Sequence, residues 1–567
     1  MADVDQIELK GRALLDELAH WTGIIGQAQQ LLMEYGATAA LQALDGFNDT
    51  LGKALPNFAE TADGGRAGWD EAMAFLQKML PGKASASEWQ QPLFDLFNQS
   101  YEIFASTLLG RIAEAEMLDP RQRDQLRFTT QTALDAMSPR NFALTNPKVI
   151  DRIIETRGAN LITGMERMLK DAAAGQIRHV SPDAFEIGRN IAATPGKVVY
   201  ENRLFQLIHY TPTTPKVDAI PIVIFPPWIN RFYILDLGPK KSFVKWALDQ
   251  GLSVFMVSWK SADASIADVA MDDYVIAGEY EAITVVRQLL GVPSVHVVGY
   301  CVAGTALAML LAWAAATGHA EDIASATFFT AQVDFADAGE LSLMIDDSQM
   351  AMIDALVTDG VLDGRYMAAS FNLLRSRDLI WNYVVNHYLL AEDYAAFDLL
   401  HWNSDVTNLP ADWHRKYLTD LYRDNLLVQP GGTSIGGVPI DLTKVKTPAF
   451  IQAGREDHIA PAQSVWKVTH HFKGPLTFVL AGSGHIAGVV NPPAANRYGY
   501  WTNDQKAETL DDFIAGATEH QGSWWPAWRA WLKARSDGEV KATGARIPGQ
   551  GPLPAIEDAP GRYVRTR

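Results

Sequence analysis

The sequence predicts an α/β protein: a mostly parallel sheet with an inserted helical cap, preceded by an all-helical N-terminal domain. Three observations predict it. Apolar residues recur at helical spacing through residues 1–185. From about residue 196, short apolar strand-like runs alternate with helical stretches. The alternation then stops for about 115 residues before two more such runs appear.

In the first region, helical spacing shows in Leu14, Leu15, Leu18 and Trp21, in Ala72, Met73, Phe75 and Leu76, and in Phe94, Leu96, Phe97, Ile103 and Phe104. Gly, Pro and Asp clusters at 62–65 and 80–82 punctuate these stretches, and the first sixty residues are expected to be loosely attached. Val198–Tyr200 and Leu204–Ile208 read as paired strands. Ile220–Phe225, Leu252–Val257, Val295–Val298 and Ala326–Phe329 follow as sheet strands, with a helix expected over Tyr280–Leu290. Residues 333–446, aromatic and helical in character, are expected to be a cap or lid. Pro448–Gln452 and Leu476–Leu480 then resume the sheet, so the core comprises 186–332 and 447–535. Residues 536–567, rich in Gly, Pro and charge, are expected to form a loose tail.

Bulk properties exclude several classes of function. The formal net charge of −18 and pI near 5.2 leave no basic excess to neutralise phosphates, which argues against an electrostatic nucleic-acid binder. One cysteine in 567 residues rules out an internal disulfide framework. The start, Met1 to Gln6, shows no basic segment followed by an apolar one, and the longest apolar run, Ala306–Ala316, is too short to span a bilayer. The expectation is a cytoplasmic protein without a transmembrane segment. Most of the sixteen tryptophans are expected in the core, with some facing a hydrophobic ligand or surface.

The one cysteine lies in Gly299-Tyr300-Cys301-Val302-Ala303-Gly304, between the strand Val295–Val298 and the apolar helix that starts near Ala306. Strand, small-X-nucleophile-X-small turn and helix together form the nucleophile elbow of α/β-hydrolases, with sulfur in place of the usual oxygen. Gly299 and Ala303 are small enough for strand and helix to meet while the thiol is held up. A buried cysteine acting as a small hydrophobe is the plainer alternative. A thiol nucleophile needs a base, and the base an orienting acid. Asp457, after the strand ending at Gln452, and His485, after the strand ending at Leu480, follow in the order nucleophile, acid, histidine. Glu456 and Asp334 are rival acids. An oxyanion hole is expected from the backbone N–H of Val302 and one from Pro226-Pro227-Trp228-Ile229-Asn230, with Trp228 or Ile229 as donor. His458 is a candidate substrate contact, or a helix cap.

These residues resemble a known family across nearly the whole chain. Gly299–Gly304 resembles the lipase-like box of polyhydroxyalkanoate synthases. Supporting blocks are Pro226–Leu237, Trp402–Asp405, Gly454–Ile459, Gly482–Pro493, Met137–Phe142, Thr145–Pro147 and Gly522–Pro526. Length and spelling are similar to class I, the single-subunit enzymes that favour short-chain monomers. Many members carry glycine where Ala303 stands.

The resemblance implies Cys301, Asp457 and His485 as catalytic residues. Val302 and Ile229 as backbone oxyanion donors, and His458 and Trp228 as substrate contacts, are readings of the residues alone, with packing under the cap as the alternative for Trp228. The resemblance also implies polymerisation of (R)-3-hydroxyacyl-CoA, 3-hydroxybutyryl-CoA above all, through an acyl-cysteine. No metal or other cofactor is implied, because CoA is the leaving group. It further implies a homodimer in the cytoplasm on polyhydroxyalkanoate granules. The helical domain would serve granule attachment and phasin-like, granule-associated partner proteins, and the cap would gate the site. A cysteine-dependent polyester depolymerase or acyl-CoA thioesterase on the same fold is the alternative activity, and a non-catalytic granule or membrane scaffold a third reading. With no second cysteine in the chain, any two-thiol scheme would need Cys301 from another subunit.

Overall fold

The computed structural model describes residues 92–115 and 118–566, with side chains from residue 98 onward. The helical patterns expected before residue 92 lie outside the described residues. The described chain forms two compact units, one of residues 92–181 with 369–395, the other of 182–368 with 396–566.

The smaller unit is helical, as its periodicity predicts. Its helices are α1 (Pro92–Ala113), α2 (Pro120–Met137), α3 (Pro147–Thr156) and α4 (Ala159–Ala174). Proline at the first position starts α2 and α3, where its missing N–H costs nothing, and the Asp119 and Asn146 side chains cap them. Residues 369–395, expected within the cap, group instead with these helices. Tyr388 donates to Asp171 at 2.7 Å, Asn160 donates to the Leu389 carbonyl at 2.7 Å, and Leu390 packs with Val149 and Ile153.

The larger unit is built on one eleven-stranded sheet. Its strands are β1 (Gly196–Glu201), β2 (Phe205–Tyr210), β3 (Ile222–Phe225), β4 (Val254–Trp259), β5 (Val295–Tyr300), β6 (Ile323–Phe329), β7 (Ala449–Gly454), β8 (Leu476–Ala481), β9 (Gly499–Thr502), β10 (Thr518–Gln521) and β11 (Glu557–Asp558). Their order is β10-β9-β8-β7-β6-β5-β3-β4-β2-β1-β11. The six central strands, β8 through β4, run parallel, and antiparallel strands flank them on both sides. β2 to β6 are nearly continuous runs of buried residues, as a sheet covered on both faces requires. After β4 the chain returns across β3 to place β5, so the strand order reverses beside β3 and β5. Open α/β sheets bind ligands outside the strand ends at such a reversal.

Helices α5 (Phe243–Asp249), α6 (Glu281–Leu290), α7 (Val302–Thr317) and α8 (Trp525–Lys533) accompany the sheet. Twelve of the sixteen residues of α7 are buried, which explains its all-round apolar sequence as a core helix. Phe243 on α5 packs edge-on to Phe329 and Trp525 and at a tilt to Trp528, and the last two are fully buried.

The C-terminal tail is not loose. The Ile556 and Ala559 N–H groups donate to the Val198 and Gly196 carbonyls, which seats β11 against the edge of β1. Arg546, 7% exposed, donates to the Ala219 carbonyl at 2.6 Å and to Ser253 Oγ at 3.1 Å, and Val564 is buried. The composition of the segment is that of a tail, but its polar groups are satisfied by distant partners. Among the described residues no helix is long and apolar enough to cross a membrane.

Candidate active site

Cys301 closes β5 and precedes the first turn of α7. Its φ of +53° and ψ of −125° are strained for a non-glycine residue, and its side chain is half-buried. The backbone is pinned there: Cys301 N–H donates to the Phe329 carbonyl at 3.0 Å, and the Cys301 carbonyl accepts from Thr305 N–H at 3.1 Å. Strand and helix touch at Gly299 and Gly304, where a Cβ on Gly299 would lie 2.6 Å from the Gly304 Cα. A Cβ on Gly304 would lie 2.4 Å from the Ala331 Cβ. The tight approach therefore sits at Gly304, one residue beyond the expected Ala303, which is fully buried.

Asp457 follows β7 and His485 follows β8, and the fold joins them. His485 Nδ1 lies 2.8 Å from Asp457 Oδ2, and both residues are 7% exposed. The other Asp457 oxygen accepts from the Ile459 and Ala460 N–H groups at 2.8 and 2.9 Å, which fixes the carboxylate. Tyr300 donates to the His485 carbonyl at 2.9 Å and so ties the histidine loop to the residue before Cys301. Burial alone would lower the pKa of the ring. The Asp457 and Cys301 charges, and the hydrogen bonds the charged ring donates to both, outweigh burial and push it up to about 10.

The rival acids are engaged elsewhere. Asp334 meets His471 at 3.3 Å and accepts from Asn425 at 2.9 Å, while Glu456 is exposed. His458 is half-buried in the Asp457 loop. Trp228, expected as a substrate contact, is 1% exposed, stacks on Tyr274 at 4.0 Å and meets Trp259 and Trp413 edge-on, so its ring is packed rather than presented to a ligand. The Ile229 carbonyl accepts from Thr407 N–H, so the loop after β3 is held by the chain following Asp405. Neither the Ile229 nor the Val302 N–H donates within the loop and turn hydrogen bonds of the described residues.

Three residues beside Cys301 escaped the sequence reading: Gln332, Tyr417 and Tyr422. Thr305, one helical turn after Cys301, donates to the Gln332 carbonyl at 2.8 Å, and Gln332 Nε2 donates to Tyr422 Oη at 3.1 Å. Both tyrosines are buried. Burial and then the nearby Cys301 charge raise the Tyr422 pKa, while Tyr417 is raised by burial, by Tyr422 and by Cys301. The only sequence signal was the aromatic density of the 333–446 insertion. Among the described residues no cluster of three or more His, Cys, Asp or Glu side chains could hold a metal ion.

Comparison with known proteins agrees with this architecture. Residues 83–247 match the family model described as the N-terminus of poly-beta-hydroxybutyrate polymerase, PhaC, and residues 238–492 match the alpha/beta hydrolase fold. A poly(3-hydroxyalkanoate) polymerase of Methylorubrum extorquens is 45% identical over 493 residues, covering 85% of this chain and 80% of its own. The polymerase subunit PhaC of Cupriavidus necator is 41% identical over 511 residues, covering 87% of this chain and 86% of its own. That of Rhizobium meliloti is 43% identical, covering 85% and 79%. Relatives at this identity and coverage establish the family: the chain belongs to the poly(3-hydroxyalkanoate) polymerases, acyltransferase enzymes on an α/β-hydrolase core.

Proposed function

We propose that the chain polymerises (R)-3-hydroxyacyl-CoA, with 3-hydroxybutyryl-CoA as the preferred short-chain monomer, and releases CoA through a covalent acyl-cysteine. The observation that carries this reading is the hydrogen-bonded Asp457–His485 pair beside Cys301. A charged imidazole next to sulfur favours the thiolate, the nucleophilic form. The thiolate of Cys301 attacks the thioester carbonyl, and the carbonyl oxygen takes up negative charge. The Val302 and Ile229 N–H groups, on either side of the strand-order reversal, are the proposed donors to that oxygen. Collapse of the adduct breaks the bond to CoA sulfur, which leaves with a proton from His485, and Cys301 is acylated. The neutral ring, oriented by Asp457, then takes the proton of a 3-hydroxyl whose oxygen attacks the Cys301 thioester, so one ester bond forms as one thioester breaks.

A cytoplasmic, granule-bound homodimer with phasin-like partners belongs to the same reading. Exposed Ile103, Phe104, Phe142 and Leu144 in the helical unit support it, because a polyester surface would accept such side chains. The test is incubation with (R)-3-hydroxybutyryl-CoA while CoA release and turbidity are followed together. CoA release with insoluble polyester supports the polymerase. CoA release with soluble hydroxy acid assigns a thioesterase, and no release removes 3-hydroxybutyryl-CoA as the monomer.

A further inference from the structure

We infer that Arg231 is a positioning residue for the reaction: it ties the C-terminal segment to the loop that carries the Ile229 N–H. The inference rests on the oxyanion role proposed above for that N–H. The loop leaves the sheet beside the nucleophile, since Phe225 at the end of β3 pairs with Gly299, two residues before Cys301. Pro226 and Pro227 bring no N–H groups, and the loop is held largely through its carbonyls. The Pro226 carbonyl accepts from Trp259 Nε1 at 2.7 Å, and the Trp228 carbonyl accepts from Thr407 Oγ1. The Ile229 carbonyl accepts from the Thr407 N–H at 3.3 Å, and Asn230 forms an antiparallel bridge with Val406. The Arg231 carbonyl accepts from Trp402 Nε1 at 2.6 Å. Residues 402–407 thus grip successive peptides of the loop, and a fixed donor is what an oxyanion site needs.

Arg231 adds a second grip, from the far end of the chain. Its side chain is 2% exposed and donates from Nη1 to the Tyr563 carbonyl at 3.2 Å and from Nη2 to the Thr566 carbonyl at 2.9 Å. Nε meets Asp405 Oδ1 at 3.4 Å, and the other Asp405 oxygen accepts from the Tyr233 hydroxyl at 2.7 Å. One guanidinium thereby joins three stretches that lie far apart in sequence: 228–233, 402–407 and 563–566. Its planar fork holds these donors rigid relative to one another, so the loop cannot shift without breaking several bonds at once. Arg231 stands two residues after Ile229, and a shift of its backbone is passed to that N–H. A donor displaced by about 1 Å loses most of its worth to a developing oxyanion. Arg231 therefore acts without touching substrate, and the C-terminal segment is part of what aligns the site.

The experiment measures two reactions of Cys301 in wild type and Arg231→Gln. CoA release from (R)-3-hydroxybutyryl-CoA passes through an oxyanion. Alkylation by iodoacetamide does not, because the carbon–sulfur bond forms as iodide leaves the same carbon. In the variant, kcat for CoA release should fall about 10- to 100-fold with KM changed by less than about threefold, while alkylation keeps its wild-type rate. An unchanged kcat overturns the assignment. A loss confined to KM makes Arg231 a substrate contact, and alkylation slowed as much as CoA release makes it a residue of the fold; either overturns the assignment. Should Arg231→Gln not fold, the double variant Arg231→Gln with Asp405→Asn removes charge and counter-charge together, so neither is stranded. The same split is expected of it, and its failure to fold overturns the assignment too. Wild type that releases CoA from neither (R)-3-hydroxybutyryl-CoA nor (R)-3-hydroxyoctanoyl-CoA, with Cys301 still alkylated, overturns the acyl-transfer reading and this inference with it.

Discussion

At the scale of single residues, the site is a small set of side chains in unfavourable places made tolerable by their neighbours. Cys301 holds a positive φ because the Phe329 carbonyl and the first turn of α7 fix both of its backbone groups. His485 is buried, yet its pKa rises to about 10 because Asp457 and Cys301 surround it with negative charge. The raised value links stability to pH. The stabilisation from the charged ring is fully present below the unfolded pKa near 6.5 and is lost as pH rises through about 10. The same ring keeps the sulfur reactive. His485→Gln should therefore slow alkylation of Cys301 by iodoacetamide at pH 7, and an unchanged rate would sink the pairing of ring and sulfur. Cys301, Asp457 and His485 were legible in sequence because each sits in a short Gly-rich turn directly after an apolar run. Gln332 and Tyr422 were not, because contact between a strand end and an inserted helix leaves no local spacing to read.

At the scale of elements, the six parallel strands and the antiparallel pair β1 and β2 were legible from apolar runs, and the antiparallel strands β9, β10 and β11 were not. β9 is only four residues, Gly499-Tyr500-Trp501-Thr502, too short to show alternation, while β10 is Thr-Glu-His-Gln and β11 two acidic residues, so hydrophobic pattern is absent from these two. What makes β11 a strand is pairing with β1, some 360 residues earlier in the chain. Truncation after residue 535 would remove β11, the Arg546 contacts and buried Val564, and expose the edge of β1. The truncated chain should melt measurably lower and aggregate; a full-length melting temperature would return the segment to the status of a tail.

Glu279 poses the opposite case, a charge-bearing residue inside an element. It is 0% exposed in the wide helical turn Tyr274–Tyr280, neither carboxylate oxygen has a partner, and burial pushes its pKa well above the usual carboxylate range. The folded protein keeps this proton while the unfolded chain releases it above about pH 4.5, so stability falls as pH rises past that value. Glu279→Gln should therefore stabilise the fold at pH 7, by about 1–3 kcal/mol, and by little at pH 4. Thermal melts at the two pH values check it, and an equal effect at both would contradict the assignment.

At the scale of the whole molecule, the chain carries a polymerase family's core on a sheet whose strand order reverses beside its single cysteine. The helical character of the described N-terminal region and the α/β core were readable from periodicity. The division of 333–446 between two units was not, because Asn160, Asp171 and Val149 recruit residues 388–390 through contacts over two hundred residues apart in sequence. All covalent chemistry in the account passes through Cys301. The most direct measurement is therefore peptide mass spectrometry after brief exposure to (R)-3-hydroxybutyryl-CoA and acid quench. The account predicts one or more hydroxybutyryl units on the Cys301 peptide, and none anywhere in Cys301→Ala. An acyl group on another residue, or polymer formed by Cys301→Ala, would contradict it.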